Sequence, residues 1–169
     1  AQVMSLYHLA GVAGVGMNAL AQALLAAHHQ VSGSDRGVDA GQDLDVIRKL
    51  AGMGVRIVPQ DGGGITPATE ALVVSTAIEA DNPDVAAARR LGTPVRHRAD
   101  VLASLAEGRS GVAIAGTSGK STVTGMVGWI LECAGRDPTV VNGAVVLNWQ
   151  TPHTVGNVRS GGSDLWVVE

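Results

Sequence analysis

Twice along these 169 residues an apolar run leads through a glycine loop into a helical pattern, and that repeated order restricts the chain to layered helix-and-sheet folds. The first instance is Leu6-Tyr7-His8-Leu9-Ala10, followed by Gly11-Val12-Ala13-Gly14-Val15-Gly16 and a helical stretch from Met17 to Ala27. The second is Val112-Ala113-Ile114-Ala115, followed by Gly116-Thr117-Ser118-Gly119-Lys120-Ser121-Thr122 and a helical pattern to about residue 134. Strand, glycine loop and helix in that order form a phosphate-binding unit. Glycines let successive backbone N–H groups turn toward phosphate oxygens, and the following helix contributes the positive end of its dipole.

The second loop is the sharper signal. The chain has only two lysines, Lys49 and Lys120. A compact ammonium at the end of a glycine loop is placed to reach terminal phosphates, and the hydroxyl of Ser121 or Thr122 to meet a magnesium ion. The loop is shorter than the full Gly-x-x-x-x-Gly-Lys-[Ser/Thr] form, because residue 114 is Ile. The first loop resembles a dinucleotide fingerprint, with Asp35 at the end of the next strand, where a carboxylate can accept hydrogen bonds from a ribose or base. Its middle glycine is replaced by Ala13, whose methyl limits the approach of a pyrophosphate and disfavours a standard nicotinamide site.

Strand-like runs near 4–10, 30–34, 55–58, 71–76 and 94–96 alternate with helix-like runs near 16–28, 42–53, 83–91 and 99–106, which predicts a Rossmann-like parallel sheet. The polar, glycine-containing segment Glu107-Gly108-Arg109-Ser110 then separates two units, residues 1–107 and residues 108–169. The second unit reads as the start of a P-loop α/β ATP-binding domain: a helix about 120–134 stopped by Gly135 and Pro138, a strand about 139–142, and a buried strand Asp164-Leu165-Trp166-Val167-Val168 ending at Glu169. A carboxylate at the tip of such a strand, beside a phosphate loop, is placed for magnesium. A strand closing the chain suggests a truncated domain. Between Asn142 and Asp164 the frequent Gly and Asn residues leave no long element legible.

Composition narrows the partners. A net charge of −3 with no basic cluster argues against nucleic acid. No run approaches the roughly 20 apolar residues of a membrane helix, and no signal peptide is legible. A single cysteine, Cys133, excludes an internal disulfide and fits a cytoplasmic setting, with its thiol expected on the buried face of its helix. His28 and His29 are expected to cap a helix end. The short basic spot Arg96-His97-Arg98 reads equally as a solvated face or a diphosphate contact.

Four segments in order carry a resemblance to the Mur ligase family, and to its branch of alanine-adding and murein-peptide-recycling enzymes. They are His8-Leu9-Ala10-Gly11 through Gly16-Met17, Ser32-Gly33-Ser34-Asp35, Ser75-Thr76-Ala77-Ile78 with Asn82-Pro83, and Ala115 through Thr122. Gly125-Met126 with Trp129-Ile130-Leu131-Glu132 and Gly135 looks closer to the recycling enzymes, and Val141-Asn142-Gly143 to the alanine-adding ones. The resemblance implies an ATP- and Mg2+-dependent amide-forming ligase of peptidoglycan synthesis or recycling, acting on UDP-N-acetylmuramate with an amino acid or peptide. Under it, Gly11, Ala13, Gly14, Val15, Gly16, Met17, Asp35, Ser75, Thr76 and Ala77 would hold the UDP-sugar in the first unit. Gly116, Thr117, Ser118, Gly119, Lys120, Ser121 and Thr122 would hold ATP, with Lys120 catalytic and Ser121 and Glu169 on magnesium. Glu169 matches the first acid of the family's Glu-x-Asp-Glu-x-Asp motif.

The chain departs from the family's usual Gly-Thr-His-Gly-Lys-Thr-Thr at Ser118 and Ser121, and from its glycines at Ala13 and Ala144. Those changes bear on substrate choice, and the amine donor and oligomeric state stay open. With the remaining segments of such a ligase absent, the 169-residue chain is expected to have no turnover of its own. Two other functions compete: an NAD-dependent oxidoreductase built on the first loop, and a non-catalytic nucleotide-binding module.

Overall fold

The computed structural model describes residues 4–169. Its first sheet contains β1 (Leu6–Ala10), β2 (Gln30–Ser34), β3 (Arg56–Ile57), β4 (Thr69–Val74) and β5 (Val95–His97), in the spatial order β3-β2-β1-β4-β5 with every pair parallel. The chain runs outward from β1 through β2 to β3, then returns to place β4 on the other side of β1. That reversal opens a crevice beyond the carboxyl ends of β1 and β4, where doubly wound sheets bind their ligands.

Side-chain alternation explains which helices cover which face. Leu9, Val31 and Val73 point into one core with α1 (Val15–Ala26), α3 (Asp45–Gly52) and α5 (Arg98–Ala106). Ala10 and Leu72 point to the other, with Val85, Ala87 and Ala88 of α4 (Pro83–Leu91). Gly33 lies so close to Val12 that a Cβ there would sit 2.7 Å from the valine Cβ, which is how the first loop packs flat on β2. Helix starts follow local chemistry: Asn82 accepts from the Asp84 amide ahead of Pro83 at the start of α4, and Asp35 accepts from the Gly37 amide to begin the short α2 (Arg36–Asp39), a turn the alternation did not suggest.

The second sheet has the order β6-β9-β7-β8, built from β6 (Ser110–Ala113), β7 (Thr139–Val141), β8 (Val158–Arg159) and β9 (Leu165–Val168). β9 lies parallel between β6 and β7, whereas the two-residue β8 pairs antiparallel to β7. The sheet is therefore mixed. β8 arises inside the glycine-rich stretch where no long element was legible, and it is two residues in length. On one face lies α6 (Lys120–Cys133), whose Gly128 allows an approach in which an added Cβ would come 2.8 Å from both Val140 and Trp149. On the other, Val141, Val158 and Trp166 join the core of α1 and α5, so the two sheets share one apolar seam along α1.

Two expectations are corrected here. Cys133 is exposed, because it shares a helical stripe with the exposed Met126 and Ile130, and that stripe of α6 faces away from the sheet. The end of α1 is capped by the backbone amides of His28 and His29, which donate to the Leu25 and Leu24 carbonyls at 2.9 and 3.0 Å, and not by the His29 imidazole: its Nδ1 accepts a hydrogen bond from the Ser5 amide at 3.3 Å, and burial lowers its pKa. His28 sits in the left-handed region at φ 63°. No described helix is long and apolar enough to cross a membrane.

Candidate functional site

The first glycine loop is held from below. Gly11, at φ 72°, and Val12 both donate their amides to the Ser34 carbonyl, at 2.9 and 3.0 Å. The Ala13 amide donates to Asp35 Oδ2 at 3.0 Å. With its other oxygen on Gly37, the Asp35 carboxylate orders both the loop and α2 from inside the protein. Gly14 begins α1, whose first turn carries no acidic side chain, so the helix dipole faces the crevice uncompensated. Ser75, Thr76 and Ala77 follow β4 across that crevice, and Ile78 packs against Gly11. Met17 is buried among the core side chains, and its amide donates to the Gly14 carbonyl at 3.0 Å.

Beneath this crevice lies a fully buried polar network absent from the sequence-based expectations. His8 Nδ1 meets Ser32 Oγ at 2.8 Å, and His8 Nε2 meets Asp84 Oδ2 at 3.3 Å. The Ser34 hydroxyl donates to the same carboxylate at 2.5 Å while accepting from Gln60 Nε2, and the Gly62 amide donates to Asp84 Oδ1 at 3.0 Å. Burial alone would raise the Asp84 pKa, but hydrogen bonds from His8, Ser34 and Gly62 overcome it and hold the carboxyl below its ordinary value. The imidazole tautomer that satisfies both partners carries its proton on Nε2, an assignment drawn from the network. With His8 and Asp84 fully buried, the network is a brace rather than a reactive site.

The second loop turns through Gly116 at φ 153° and Gly119 at φ 74°, both in the region that favours glycine. It enters α6 at Lys120. Lys120 Nζ donates to the Gly116 carbonyl at 2.9 Å, curling the side chain over its own loop, and the first turn of α6 contains no acidic residue. Asn142, at the end of β7, donates from Nδ2 to the Ser121 carbonyl at 3.1 Å, and its buried Oδ1 has no partner among the described residues. At the tip of β9, Glu169 Oε2 accepts from the Gly143 amide at 2.8 Å.

The starts of α1 and α6, where the two loops end, meet in one cleft of about 320 Å³, lined by Val15, Gly16, Ala19, Arg98, Leu102, Lys120, Val141, Asn142, Gly143 and Glu169. The sequence offered two separate loops, and the fold brings them onto facing walls. It also divides the basic spot. Arg96 is used on Ser104 and His97 caps α5 by accepting from the Ala99 amide, while the Arg98 guanidinium lies directly over Gly16 at the start of α1. A cation and a free helix N-terminus on one wall, with a lysine and a second free helix N-terminus on the other, suit two anionic ligands side by side. Glu169 lines this cleft, whereas Ser121 and Thr122 line a neighbouring pocket with Gly125 and Asn142; hydroxyl and carboxylate oxygens are donors of the hard type that magnesium takes. Among the described residues no cluster of three or more His, Cys, Asp or Glu forms an all-protein metal cage.

Known proteins are similar to this chain in sequence and in fold. The pattern of the Mur ligase family, catalytic domain, matches residues 6–110, a span that ends before the second loop. The UDP-N-acetylmuramate--L-alanine ligase of a Cyanothece species is 39% identical over 166 residues, covering 96% of this chain and 32% of the relative. That of an Arthrobacter species is 43% identical over 162 residues, again covering 96% and 32%. The crystal structure of UDP-N-acetylmuramate-alanine ligase from Thermotoga maritima superimposes with a TM-score of 0.79 at 26% identity, covering 98% of this chain and 37% of that one. The UDP-N-acetylmuramate:L-alanyl-gamma-D-glutamyl-meso-diaminopimelate ligase of Neisseria meningitides gives 0.80 at 26% identity, covering 99% and 52%. The chain thus spans about a third of the length of the curated relatives. With the family pattern matched over more than half its residues, and the parallel five-stranded sheet that carries the first loop in place, the chain belongs to the Mur ligase family.

Proposed function

We propose that this chain is the nucleotide-binding portion of an ATP-dependent ligase that joins an amino acid or peptide to the lactyl carboxylate of UDP-N-acetylmuramate. The observation that supports it best is the single cleft into which Gly16 and Arg98 project from one side and Lys120 and Glu169 from the other. Residues 1–107 are the UDP-sugar unit and residues 108–169 the beginning of the ATP unit. The amides of Val15 and Gly16, at the start of α1, meet the diphosphate of the UDP-sugar with Arg98; Gly11, Ala13, Gly14 and Met17, whose amides are taken up by Ser34, Asp35 and the loop's own carbonyls, shape the loop around it, and Ser75, Thr76 and Ala77 line the crevice opposite. Asp35, whose oxygens already serve the loop, meets the nucleoside through its remaining lone pairs. The 116–122 loop wraps the ATP phosphates.

In this reading a carboxylate oxygen of the sugar attacks the γ-phosphorus, the bond to the ADP oxygen breaks, and an acyl phosphate forms. The amine then attacks the acyl carbon, inorganic phosphate leaves with the C–O bonding pair, and the amine loses its proton. No protein nucleophile is needed, since phosphoryl transfer depends on alignment and charge neutralisation. Lys120 moves from the Gly116 carbonyl to the γ-phosphate. Ser121 and Glu169 would hold magnesium, which neutralises phosphate charge when bound. Ser118, in place of the family's usual histidine, leaves Lys120 as the loop's cation. The amine site and the closure over ATP belong to segments outside these 169 residues, so the chain alone has no turnover.

Calorimetric titration with UDP-N-acetylmuramate and NAD in parallel tests the reading. Saturable binding of the UDP-sugar without NAD supports it. NAD binding in place of the sugar nucleotide would overturn it.

A further inference from the structure

We propose that Asn157 is a positioning residue that fixes the separation of the two glycine loops across the cleft; this rests on the proposed function only in taking both loops as ligand sites. Asn157 is 1% exposed and lies just before β8, where neither loop is near in sequence. Its carbonyl accepts from the Asn142 amide at 2.9 Å and so holds the wall that carries Asn142 and Gly143. Its side chain crosses to the other wall. Nδ2 donates to Asn18 Oδ1 at 2.7 Å and to the Val15 carbonyl at 3.4 Å, in the first turn of α1, and Oδ1 accepts from Gln22 Nε2 at 2.9 Å. Asn18 in turn donates to the Ala13 and Gly14 carbonyls, so the contact continues into the first glycine loop itself.

The surrounding seam is aliphatic, formed by residues such as Ala19, Ala23, Val141 and Val158. Apolar packing is non-directional and tolerates small slides, whereas three interlocked amides in a dry environment accept only one register. Asn18, Gln22 and Asn157 are all buried, so a slide would leave amide groups without partners. One residue therefore ties both cleft walls. Lys120 and Gly16 keep their spacing because Asn157 bonds to the strand beside one and the helix carrying the other.

Pulsed electron–electron spin resonance tests this without any ligand, so its outcome is independent of what the loops bind. Spin labels go on the native exposed Cys133 of α6 and on Ala51→Cys, at an exposed position of α3, placing one label on each unit. The background chain should give a single narrow distance distribution. Asn157→Ala should broaden it at least twofold in width or add a second distance, and the milder Gln22→Met should broaden it less. Ile65→Ala, a cavity in the separate core under α4, should lower the melting temperature and leave the distribution unchanged, which separates positioning from general stability. If Asn157→Ala does not fold, Gln22→Met decides. Folded variants with distributions superimposable on the background would overturn the proposal.

Discussion

Replacing Asp84 by alanine should bring the chain close to unfolding, although the residue lies outside the cleft. Asp84 accepts from His8 Nε2, the Ser34 hydroxyl and the Gly62 amide in a site with no solvent exposure. Each donor left without a partner costs about 1–3 kcal/mol. Taking the lower half of that range, because one water can fill the vacated carboxylate volume, the loss is about 3–6 kcal/mol. A domain of this size has about 5–15 kcal/mol in total. Asp84→Asn, which keeps one acceptor but turns an NH2 group toward a donor, should lose about 2–4 kcal/mol. The pH dependence follows from the depressed carboxyl. A pKa lower in the folded than in the unfolded state means the unfolded chain binds more protons, so this contribution is complete above the ordinary Asp value and is lost as pH falls through the folded value. Urea unfolding followed by far-ultraviolet circular dichroism between pH 3 and pH 7 measures both effects. A loss below about 1 kcal/mol for Asp84→Ala, or an acid limb as steep in Asp84→Asn as in the parent, would refute the reasoning.

Two further substitutions probe packing and charge. Gly128→Ala forces a methyl to within 2.8 Å of Val140 and Trp149, so α6 must lift from its sheet, with a destabilisation of about 1–3 kcal/mol by urea unfolding. Arg98→Ala removes the cation over Gly16 and should weaken UDP-N-acetylmuramate binding about tenfold by calorimetry, with the melting temperature held within a few degrees.

Much of this architecture was legible because its signals are local. The run of strands and helices, the glycine loops that join them and the buried centre of the 165–168 strand all depend on residues a few positions apart. The order of the first sheet, with β1 between β2 and β4, was not legible, because alternation implies a parallel sheet without saying where the order of its strands reverses. What escaped depends on distance along the chain. His8 and Asp84 are 76 residues apart, and a lone histidine in an apolar strand carries no sign of its carboxylate. Asn157 looked like loop punctuation, since a turn asparagine and a buried bridging asparagine have the same local surroundings. Arg98 could not be told from Arg96 until the start of α5 gave each a direction. Cys133 misled because an apolar helical stripe signals burial, and here the stripe including Met126 and Ile130 faces outward. Strand β8 holds only two residues and is defined by its antiparallel partner rather than by its own sequence.

The central claim is that one cleft serves both loops, and titration of magnesium-ATP into the chain and into Lys120→Ala, each with and without UDP-N-acetylmuramate, tests it most directly. Loss of a charge-assisted contact worth about 1.5–3 kcal/mol predicts ATP binding about 10- to 100-fold weaker in the variant, with UDP-sugar affinity unchanged. ATP bound equally well by both chains, or UDP-sugar binding lost with Lys120, would contradict the assignment of one ligand to each wall.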